Sequence, residues 1–539
     1  MRKILLPMLM AGVVSFAGCD DFLSEYSQDK IVAKKVQDLD ELLLGDGYLQ
    51  SSAIASGPSI TNPAGFFNII DDDSNTGRDI DTLSERSTFV GKAWVQSLIG
   101  MYGYFGWQQD VGTNYDGTVV SDDAATWDKL YKHINVVNVM LNEIKDLPHA
   151  TDKDLADFYR VQGEAHFIRA QMYFTLVNLY ANMYEESNCE TKLGVPLKLT
   201  PNVEFKFKRA SIKAIYDQII DDLTKAEDFL TKSPQNSAHY LHRASVEAVD
   251  VLFSRVYLYM QKWDLAAEKA QKVMKSQNFY LASLSSLGPN ATYLTSENSD
   301  VIFSQGSNNL SSTYVFTGRP GDYCVSKNLY DLYDDKDRRK SCFFGTYNND
   351  SLSMVHCDSI MLKGKYERGN SLRAHVSDCF TLRVSEAYLN RMEALAMMGG
   401  EHEAEANDLL NKFRAERIDG YVAQNYTGEE LVNQIRRSAA RSFALRDTAG
   451  STSDAMPFAR NILTRRPSFT FTTFATTTDG SIPTRWCSLP TIPLTRLPFR
   501  NRSSTSSPTV RCPPIRDISA TRWKAKRNNF MISEKRICI

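Results

Sequence analysis

An aromatic run flanked by glycines, Tyr102 to Asp110, has the residue types best suited to binding a ligand. Tyr104 and Trp107 offer flat aromatic faces, and Gln108 and Asp110 place polar groups beside them. A carbohydrate needs this combination, because its C–H faces pack on aromatic rings while its hydroxyl groups need hydrogen-bonding partners. The glycines favour a loop over a periodic helix face. We therefore predict that these four residues bind a glycan; packing of Trp107 in the core is the alternative.

Further candidates lie outside this run. Arg78 could bind hydroxyl groups through its guanidinium, which carries several hydrogen-bond donors. A second irregular region of the chain contains weaker aromatic candidates: Tyr323, Tyr314, Tyr330 and Tyr333.

Motifs of the common catalytic mechanisms are missing from the sequence. It contains no G-x-x-x-x-G-K-(S/T) or G-x-G-x-x-G nucleotide loop, no H-E-x-x-H and no G-x-S-x-G. Carboxylate pairs are numerous, as on any acidic surface, so a lipoprotein hydrolase stays open as an alternative. We predict a protein that is not an enzyme and needs no cofactor.

The segment from Asp71 to Thr82 begins like a calcium loop but departs from one in two places. Gly77 comes one position late, and Thr82 stands where a bidentate glutamate is needed. A solvated turn is the favoured interpretation, and we predict no metal site.

The first residues resemble the signal of a bacterial lipoprotein. Arg2 and Lys3 precede the apolar stretch Ile4 to Phe16, which is too short to span a bilayer. Small residues then lead into Cys19, so we expect a signal peptide over 1–18 and lipidation of Cys19. The acidic pair Asp20-Asp21 resembles a surface-export signal, which favours the outer face of the outer membrane. The alternative is an ordinary secretory signal with a chance cysteine.

Apolar residues at helical spacing dominate two parts of the chain, 127–281 and 381–436. Ser211 is the expected N-cap of one helix. The stretch from Ala248 to Ala270 is similar to a tetratricopeptide repeat (TPR), with small alanines where helices approach closely. The predicted helices are Trp127–Leu147, Asp154–Tyr184, Ile212–Leu230, Ser245–Tyr259, Leu265–Met274, Leu382–Ala394 and Glu403–Glu416.

Two longer regions, about 47–125 and 282–380, show no such period and are rich in Gly, Asn, Asp, Ser and Tyr. Binding sites often lie on loops that a rigid scaffold carries. We therefore expect the ligand-binding face to be built from these two regions.

Four strings follow the lipoprotein signal in a fixed order: Trp127–Asn135, Gly163–Ala170, Tyr216–Leu223 and Leu382–Ala394. Together they resemble the SusD/RagB family of nutrient-binding outer-membrane lipoproteins. The resemblance covers roughly residues 1–436. It implies a helical scaffold with TPR-like repeats, an irregular ligand face, no catalysis and docking on a TonB-dependent (SusC-like) transporter.

The chain departs from this family after about residue 436. From Arg441 to Ile539 it has 17 Lys and Arg against 5 Asp and Glu, although the net charge of the whole chain is −2. The family pattern has R-(R/K)-E-F-x-F-E-G-H-R-W-F-D-L-R-R here. One back-translation with a chosen set of permitted codons, read from the last base of the Arg437 codon, gives FRRKEFCFEGHRWFDLRRYA. We therefore predict a frameshift after about residue 436, which would make the charge of the tail uninformative. A genuine basic tail is the alternative, although an exported lipoprotein is not expected to bind nucleic acid.

Together these patterns predict a mainly α protein: a scaffold of TPR-like helical hairpins, with irregular, loop-rich ligand-binding regions and a disordered C-terminal tail. The leading hypothesis is a lipid-anchored protein of the outer membrane surface that binds a glycan and delivers it to a TonB-dependent transporter. The alternatives are a RagB-like peptide-binding protein and a surface adhesin or TPR scaffold. The expected divisions of the chain are 1–18, 19–126, 127–281, 282–380, 381–436 and 437–539.

Overall fold

Helical hairpins form most of the part of the chain that the structure, a computed structural model, describes. That part comprises residues 33–49, 73–76, 124–201, 208–233, 241–285, 287–288, 294–306, 315–316, 319–320, 323–347, 359–362 and 378–444. The longer helices are α1 (Val36–Leu42), α2 (Ala124–Glu143), α3 (Asp152–Tyr180), α4 (Ile212–Lys232), α5 (Val246–Tyr259), α6 (Trp263–Met274), α9 (Val384–Met398), α10 (His402–Ala415) and α11 (Gly428–Phe443). Two short helices, α7 (Lys327–Tyr330) and α8 (Arg338–Phe343), lie between them in sequence.

Close packing of α3 and α4 explains a glycine in the middle of a long helix. A Cβ atom on Gly163 would lie 2.6 Å from Cγ of Leu230, so only glycine allows this approach. Side chains cap the start of both helices. The Thr151 hydroxyl accepts a hydrogen bond from the N–H of Asp154, and the Ser211 hydroxyl accepts one from the N–H of Ala214. The N-cap predicted at Ser211 is therefore confirmed.

Helices α3 and α9 are buried along most of their length, because other helices pack on several of their sides. Such burial requires that their charged residues have partners. Arg169 of α3 donates two hydrogen bonds to Asp222 of α4, at 2.9 and 2.7 Å. Arg255 of α5 donates to both carboxylate oxygens of Glu386 in α9, at 2.7 and 2.9 Å. These bidentate pairs join neighbouring hairpins at the centre of the scaffold.

The turn between α5 and α6 has the helix-turn-helix form expected of a tetratricopeptide repeat. Gln261 has a positive φ of 60° where the chain reverses. Ala266 and Ala270 are fully buried on the side of α6 that packs against α5 and α9. Their small side chains allow the helices to approach closely, as the sequence predicted.

Short antiparallel ladders connect the irregular parts of the described chain. The strands are β1 (Ser74–Thr76), β2 (Leu193–Pro196), β3 (Arg209–Ser211), β4 (Val301–Gln305), β5 (Val315–Phe316), β6 (Arg319–Pro320), β7 (Tyr323–Val325), β8 (Phe344–Tyr347), β9 (Ser359–Leu362) and β10 (Phe380–Arg383). They pair as β1 with β7, β2 with β3, β4 with β10, β5 with β6 and β8 with β9. Each ladder has two strands, so the sheets do not form a layer of their own.

The structure corrects the predicted start of the helix at Leu382. Leu382 and Arg383 belong to β10 rather than to a helix, because they pair with Phe303 and Val301 of β4. The following helix begins at Val384, whose N–H donates to the carbonyl of Asp300. The helix α11 runs from Gly428 to Phe443, and its inner face is buried against the scaffold. The predicted tail beyond Ala444 lies outside the described residues.

Candidate functional site

The two irregular regions meet in an antiparallel ladder. Strand β1 comes from the first region and β7 from the second. Thr76 lies opposite Tyr323, and Ser74 lies opposite Val325. The N–H of Ser326 donates to the carbonyl of Asp73 at 2.7 Å and extends the pairing by one step. Backbone hydrogen bonds therefore bring together two segments that are far apart in sequence, and both carry candidate ligand-binding residues.

A second hairpin lies beside this ladder. Strand β9 is adjacent to β7 and pairs with β8, with Phe344 opposite Leu362 and Tyr347 opposite Ser359. Helix α7 starts immediately after β7, and its N-cap Ser326 accepts a hydrogen bond from the N–H of Leu329. The surface that we call the two-region face consists of β1, β7, β8, β9 and α7.

One tyrosine of the two-region face is partly accessible. Tyr330, at the end of α7, is half-buried. The centroid of its ring lies 5.5 Å from the ring centroid of Phe344. The Nζ of Lys340 lies 4.7 Å from the same centroid of Tyr330. Lys340 also pairs with the exposed carboxylate of Asp335, 2.6 Å away. An accessible aromatic ring beside a cation and a carboxylate is chemically suited to a polyhydroxylated ligand.

Tyr333 is not part of that surface. Its side chain is buried, and its hydroxyl donates to the carbonyl of Arg441 at 2.6 Å. Burial raises the pKa of Tyr333 well above its ordinary value. The sequence placed Tyr333 among the weaker ligand candidates, and the structure corrects this: the residue packs in the core between α7 and α11.

The beginning of the first irregular region is fastened to the scaffold. Tyr48 donates a hydrogen bond to Glu164 of α3, and the N–H of Leu49 donates to Oε1 of Gln305 at 2.9 Å. Gln305 is the last residue of β4, directly before the second irregular region. The two regions therefore leave the scaffold from neighbouring points. This arrangement could not be predicted from the sequence, because Tyr48 and Gln305 belong to no recognisable motif.

Charged side chains hold this N-terminal segment in place. Asp40 of α1 lies 2.8 Å from both Arg160 and Arg243. Burial alone would raise the pKa of Asp40, but hydrogen bonds from the two arginines outweigh it and lower the pKa. Glu164 is nearly inaccessible, and burial raises its pKa despite the same two arginines. This network is structural, since each charge has a partner inside the protein.

An aromatic cluster marks the end of the first irregular region. Trp127 of α2 packs on Tyr131 at 4.8 Å and on Tyr180 at 5.0 Å between ring centroids. Tyr131 donates to the carbonyl of Pro196 at 2.6 Å, which ties α2 to β2. These contacts fix the position of the start of α2, which follows the aromatic run containing Trp107 in sequence.

The predicted ligand residues fall mainly outside the part of the chain that the structure describes. Only the backbone of Tyr323 is described, and it pairs with Thr76, two residues before Arg78. Asp73 to Thr76, within the calcium-like segment, form a turn and the strand β1. Among the described residues, no cluster of His, Cys, Asp and Glu could hold a metal ion. The predicted residues that lie outside the described ranges are Cys19, Arg78, Tyr104, Trp107, Gln108, Asp110 and Tyr314.

No helix within the described ranges is long and apolar enough to cross a bilayer.

Comparison with known proteins gives matches at two levels. Residues 85–258 match the family model SusD-like_3, described as "Starch-binding associating with outer membrane". A search of curated proteins found no match. Among solved structures, a SusD superfamily protein from Bacteroides fragilis aligns with a TM-score of 0.58 and 20% identity, covering 79% of this chain and 90% of its own.

Two other solved structures are described by what they bind. A SusD-like carbohydrate-binding protein from Bacteroides vulgatus aligns with a TM-score of 0.57 and 20% identity, covering 77% of this chain and 82% of its own. A laminarin-binding SusD-like protein aligns with a TM-score of 0.57 and 20% identity, covering 80% of this chain and 94% of its own. The fold is therefore shared along most of the length of these proteins.

Proposed function

We propose, from the premise that this chain belongs to the SusD/RagB-type family, that it binds a glycan at the bacterial surface and delivers it to a TonB-dependent outer-membrane transporter. The observation that carries the proposal is the pairing of β1 with β7. It joins a segment of one irregular region to a segment of the other, which supports a binding face built from both.

The comparisons support the class of ligand. The matching family is described as starch-binding, and one protein of the same fold is described as laminarin-binding. Both starch and laminarin are polymers of glucose. The proposed residues have side chains suited to such a glycan. Tyr104, Trp107 and Tyr323 would supply aromatic faces for the sugar rings, and Arg78, Gln108 and Asp110 would supply hydrogen bonds for the hydroxyl groups.

Binding without catalysis fits the chemistry of the described residues. The buried carboxylates Asp222 and Glu386 each bind an arginine at the centre of the scaffold, so they are not available to a substrate. A binding protein needs only a complementary surface, whereas a glycosidase needs two carboxyl groups placed on opposite sides of one bond. We therefore propose that the protein captures its ligand and leaves its chemistry to other proteins.

Anchoring and delivery form the finer part of the proposal. Lipidated Cys19 would hold the protein at the outer membrane, and the scaffold would dock on a SusC-like barrel.

Electrophoresis of the full chain through native gels that contain laminarin, starch or no polysaccharide tests ligand binding. We expect at least one glucan to slow the protein relative to bovine serum albumin in the same gel. A peptide-binding function predicts the opposite pattern: no glycan of a broad panel would slow the protein, and a peptide digest would raise its melting temperature. Copurification of a TonB-dependent barrel with the tagged protein from detergent-solubilised outer membranes tests delivery separately.

A further inference from the structure

A row of three aromatic rings leads from the core to the accessible surface of the two-region face. The ring centroid of Tyr333 lies 4.9 Å from that of Phe344 in β8, at an interplanar angle of 78°. The centroid of Phe344 lies 5.5 Å from that of Tyr330, at 73°. Edge-to-face contacts of this kind favour one orientation of each ring. Because Tyr333 is buried and Tyr330 is half-buried, the row connects the surface with the interior.

The inner end of this row is attached to α11. The hydroxyl of Tyr333 donates a hydrogen bond to the carbonyl of Arg441 at 2.6 Å. That carbonyl is one of the last four of α11, and a helix leaves its last four carbonyls without a partner of its own. A phenylalanine would fill the same space but could not make this bond. The hydroxyl therefore ties the last turn of α11 to the segment that carries the face.

Tyr333 also lies close to the ladder that joins the two irregular regions. Burial raises its pKa well above the ordinary value, and the negative charge of Asp73 is near enough to contribute to the rise. The carbonyl of Asp73 accepts the hydrogen bond from the N–H of Ser326, which extends the pairing of β1 with β7. Ser326 in turn caps α7, three residues before which the chain is still in β7. One buried side chain is therefore near both strands of this ladder.

Backbone hydrogen bonds hold the other side of the same segment on the scaffold. The N–H of Arg338 donates to the carbonyl of Arg417, and the N–H of Asp419 donates to the carbonyl of Lys336, both at 3.0 Å. These bonds fix the start of α8, which follows Tyr333 in the chain. Tyr333 fastens the part that precedes it, namely the end of α7.

We propose that Tyr333 is a positioning residue of the ligand-binding face: its hydrogen bond to Arg441 and its ring contact with Phe344 set the orientation of β7 and β8 relative to the helical scaffold. This inference rests on the proposed function of the face, because Tyr333 is buried and acts through its neighbours rather than by touching the ligand. A face that is already ordered does not have to be ordered on binding, and this saving in entropy strengthens binding.

An ordinary core tyrosine would contribute only to overall stability, so a matched tyrosine of the scaffold provides the comparison. Tyr173 of α3 is fully buried, and its hydroxyl donates to the carbonyl of Lys198 at 2.6 Å. The same hydroxyl accepts a hydrogen bond of 2.7 Å from the N–H of Lys198. Loss of the Tyr173 hydroxyl should therefore lower the stability at least as much as loss of the Tyr333 hydroxyl.

Hydrogen–deuterium exchange of the full chain without ligand compares Tyr333→Phe with Tyr173→Phe. We expect the amides of residues 325–330, which include the N–H of Ser326, to exchange about tenfold faster in Tyr333→Phe. Tyr173→Phe should leave their exchange unchanged although it lowers the melting temperature. Unchanged exchange in Tyr333→Phe would overturn the proposal. An equal increase in both variants would overturn it as well, because that increase would reflect only lost stability.

Isothermal titration with the glucan that slows the protein in gels, laminarin or starch, measures the consequence for binding. Tyr333→Phe should bind about threefold to tenfold more weakly, and Tyr173→Phe should bind as tightly as the wild type. Equal affinities of wild type and Tyr333→Phe would refute the positioning role and leave the proposed function standing. If the wild type binds no glycan, the proposed function fails, and the exchange experiment still decides whether Tyr333 orients the face.

If Tyr333→Phe does not fold, exchange of the wild type in low concentrations of urea decides. Attachment through Tyr333 predicts that the amides of residues 325–330 and those of the last turn of α11 lose protection with the same dependence on urea. Different dependences would show that the face opens independently of α11, which would overturn the proposal.

Discussion

The hydroxyl of Tyr48 donates a 2.6 Å hydrogen bond to Oε2 of Glu164 and accepts one of 2.9 Å from the N–H of Ala244. All three groups are buried, so water cannot replace a lost partner. Tyr48→Phe should therefore lower the free energy of unfolding by about 2 kcal/mol, within the range for leaving buried polar groups without a partner. Urea unfolding followed by circular dichroism measures this change.

The matched control is Tyr184→Phe. The hydroxyl of Tyr184 also donates to a glutamate, Glu186, at 2.9 Å, but the side chain of that glutamate is 67% exposed. Water can solvate Glu186 after the substitution, so we expect a loss below about 1 kcal/mol. Similar losses at both positions would contradict the role assigned to burial of Glu164.

The carboxyl group of Asp250 should make stability depend on pH. Burial between α5 and α6 raises the pKa of Asp250 to about 6, although Lys269 lies 3.2 Å away and opposes the shift. A folded-state pKa above the unfolded value means that the folded protein binds the proton more tightly. The resulting stabilisation is complete below about pH 4 and is lost as the pH rises through about 6.

Asp250→Asn removes this titration. We expect the difference in free energy of unfolding between wild type and variant to change between pH 4 and pH 7, with the wild type relatively more stable at the lower pH. Glu247→Gln, on the same helix but with hydrogen bonds to Ser276 and Asn278 near the surface, is the control and should show no comparable trend. A difference that is constant across this pH range would show that Asp250 has an ordinary pKa.

Trp107→Ala tests the predicted aromatic platform. Loss of a large aromatic ring from a binding surface should weaken glycan binding by about 1–3 kcal/mol and leave the melting temperature nearly unchanged. The control is Tyr280→Ala, because Tyr280 is 66% exposed and lies in the scaffold after α6. Isothermal titration with the glucan that slows the protein in gels gives both affinities. If Trp107→Ala unfolds and glycan does not protect the tryptophan fluorescence of the wild type, Trp107 belongs to the core.

Cys19→Ala tests the lipid anchor. Without the thiol no acyl chain can be attached, so the variant should leave the membrane fraction and lose labelling by palmitate. Cys189→Ala is a suitable control, because Cys189 is a buried cysteine of the scaffold. Unchanged palmitate labelling of Cys19→Ala would refute the lipoprotein signal.

The nucleotide sequence around the Arg437 codon tests the frameshift. We expect the next frame to encode the F-E-G-H-R-W-F-D-L-R-R block, and insertion or deletion of the base that restores it should give a more soluble protein. The reason is that the restored block would pack against the scaffold, whereas a segment without apolar period cannot offset the entropy of ordering its backbone. Stop codons in that frame, or the absence of the block, would make the basic tail a genuine feature.

Much of the helical scaffold followed from the sequence alone. Apolar residues recur at helical spacing, and short-range capping sets where helices start, so the N-cap at Ser211 and the helix up to Met274 were predicted closely. The order of the family strings likewise predicted the fold that the solved structures share. These features depend on interactions between residues that are near in sequence, which a single chain displays directly.

Contacts between distant residues were decided only by the tertiary structure. Tyr333 is a core residue, whereas Tyr330 is partly accessible. No feature of the sequence around them distinguishes the two, because their exposure depends on where α11 packs. Leu382 and Arg383 fit a helix by their pattern but form a strand, because β4 offers them backbone partners. The pairing of Thr76 with Tyr323 and the hydrogen bond from Tyr48 to Glu164 also join segments far apart in the chain, and periodicity in the sequence does not reveal such contacts.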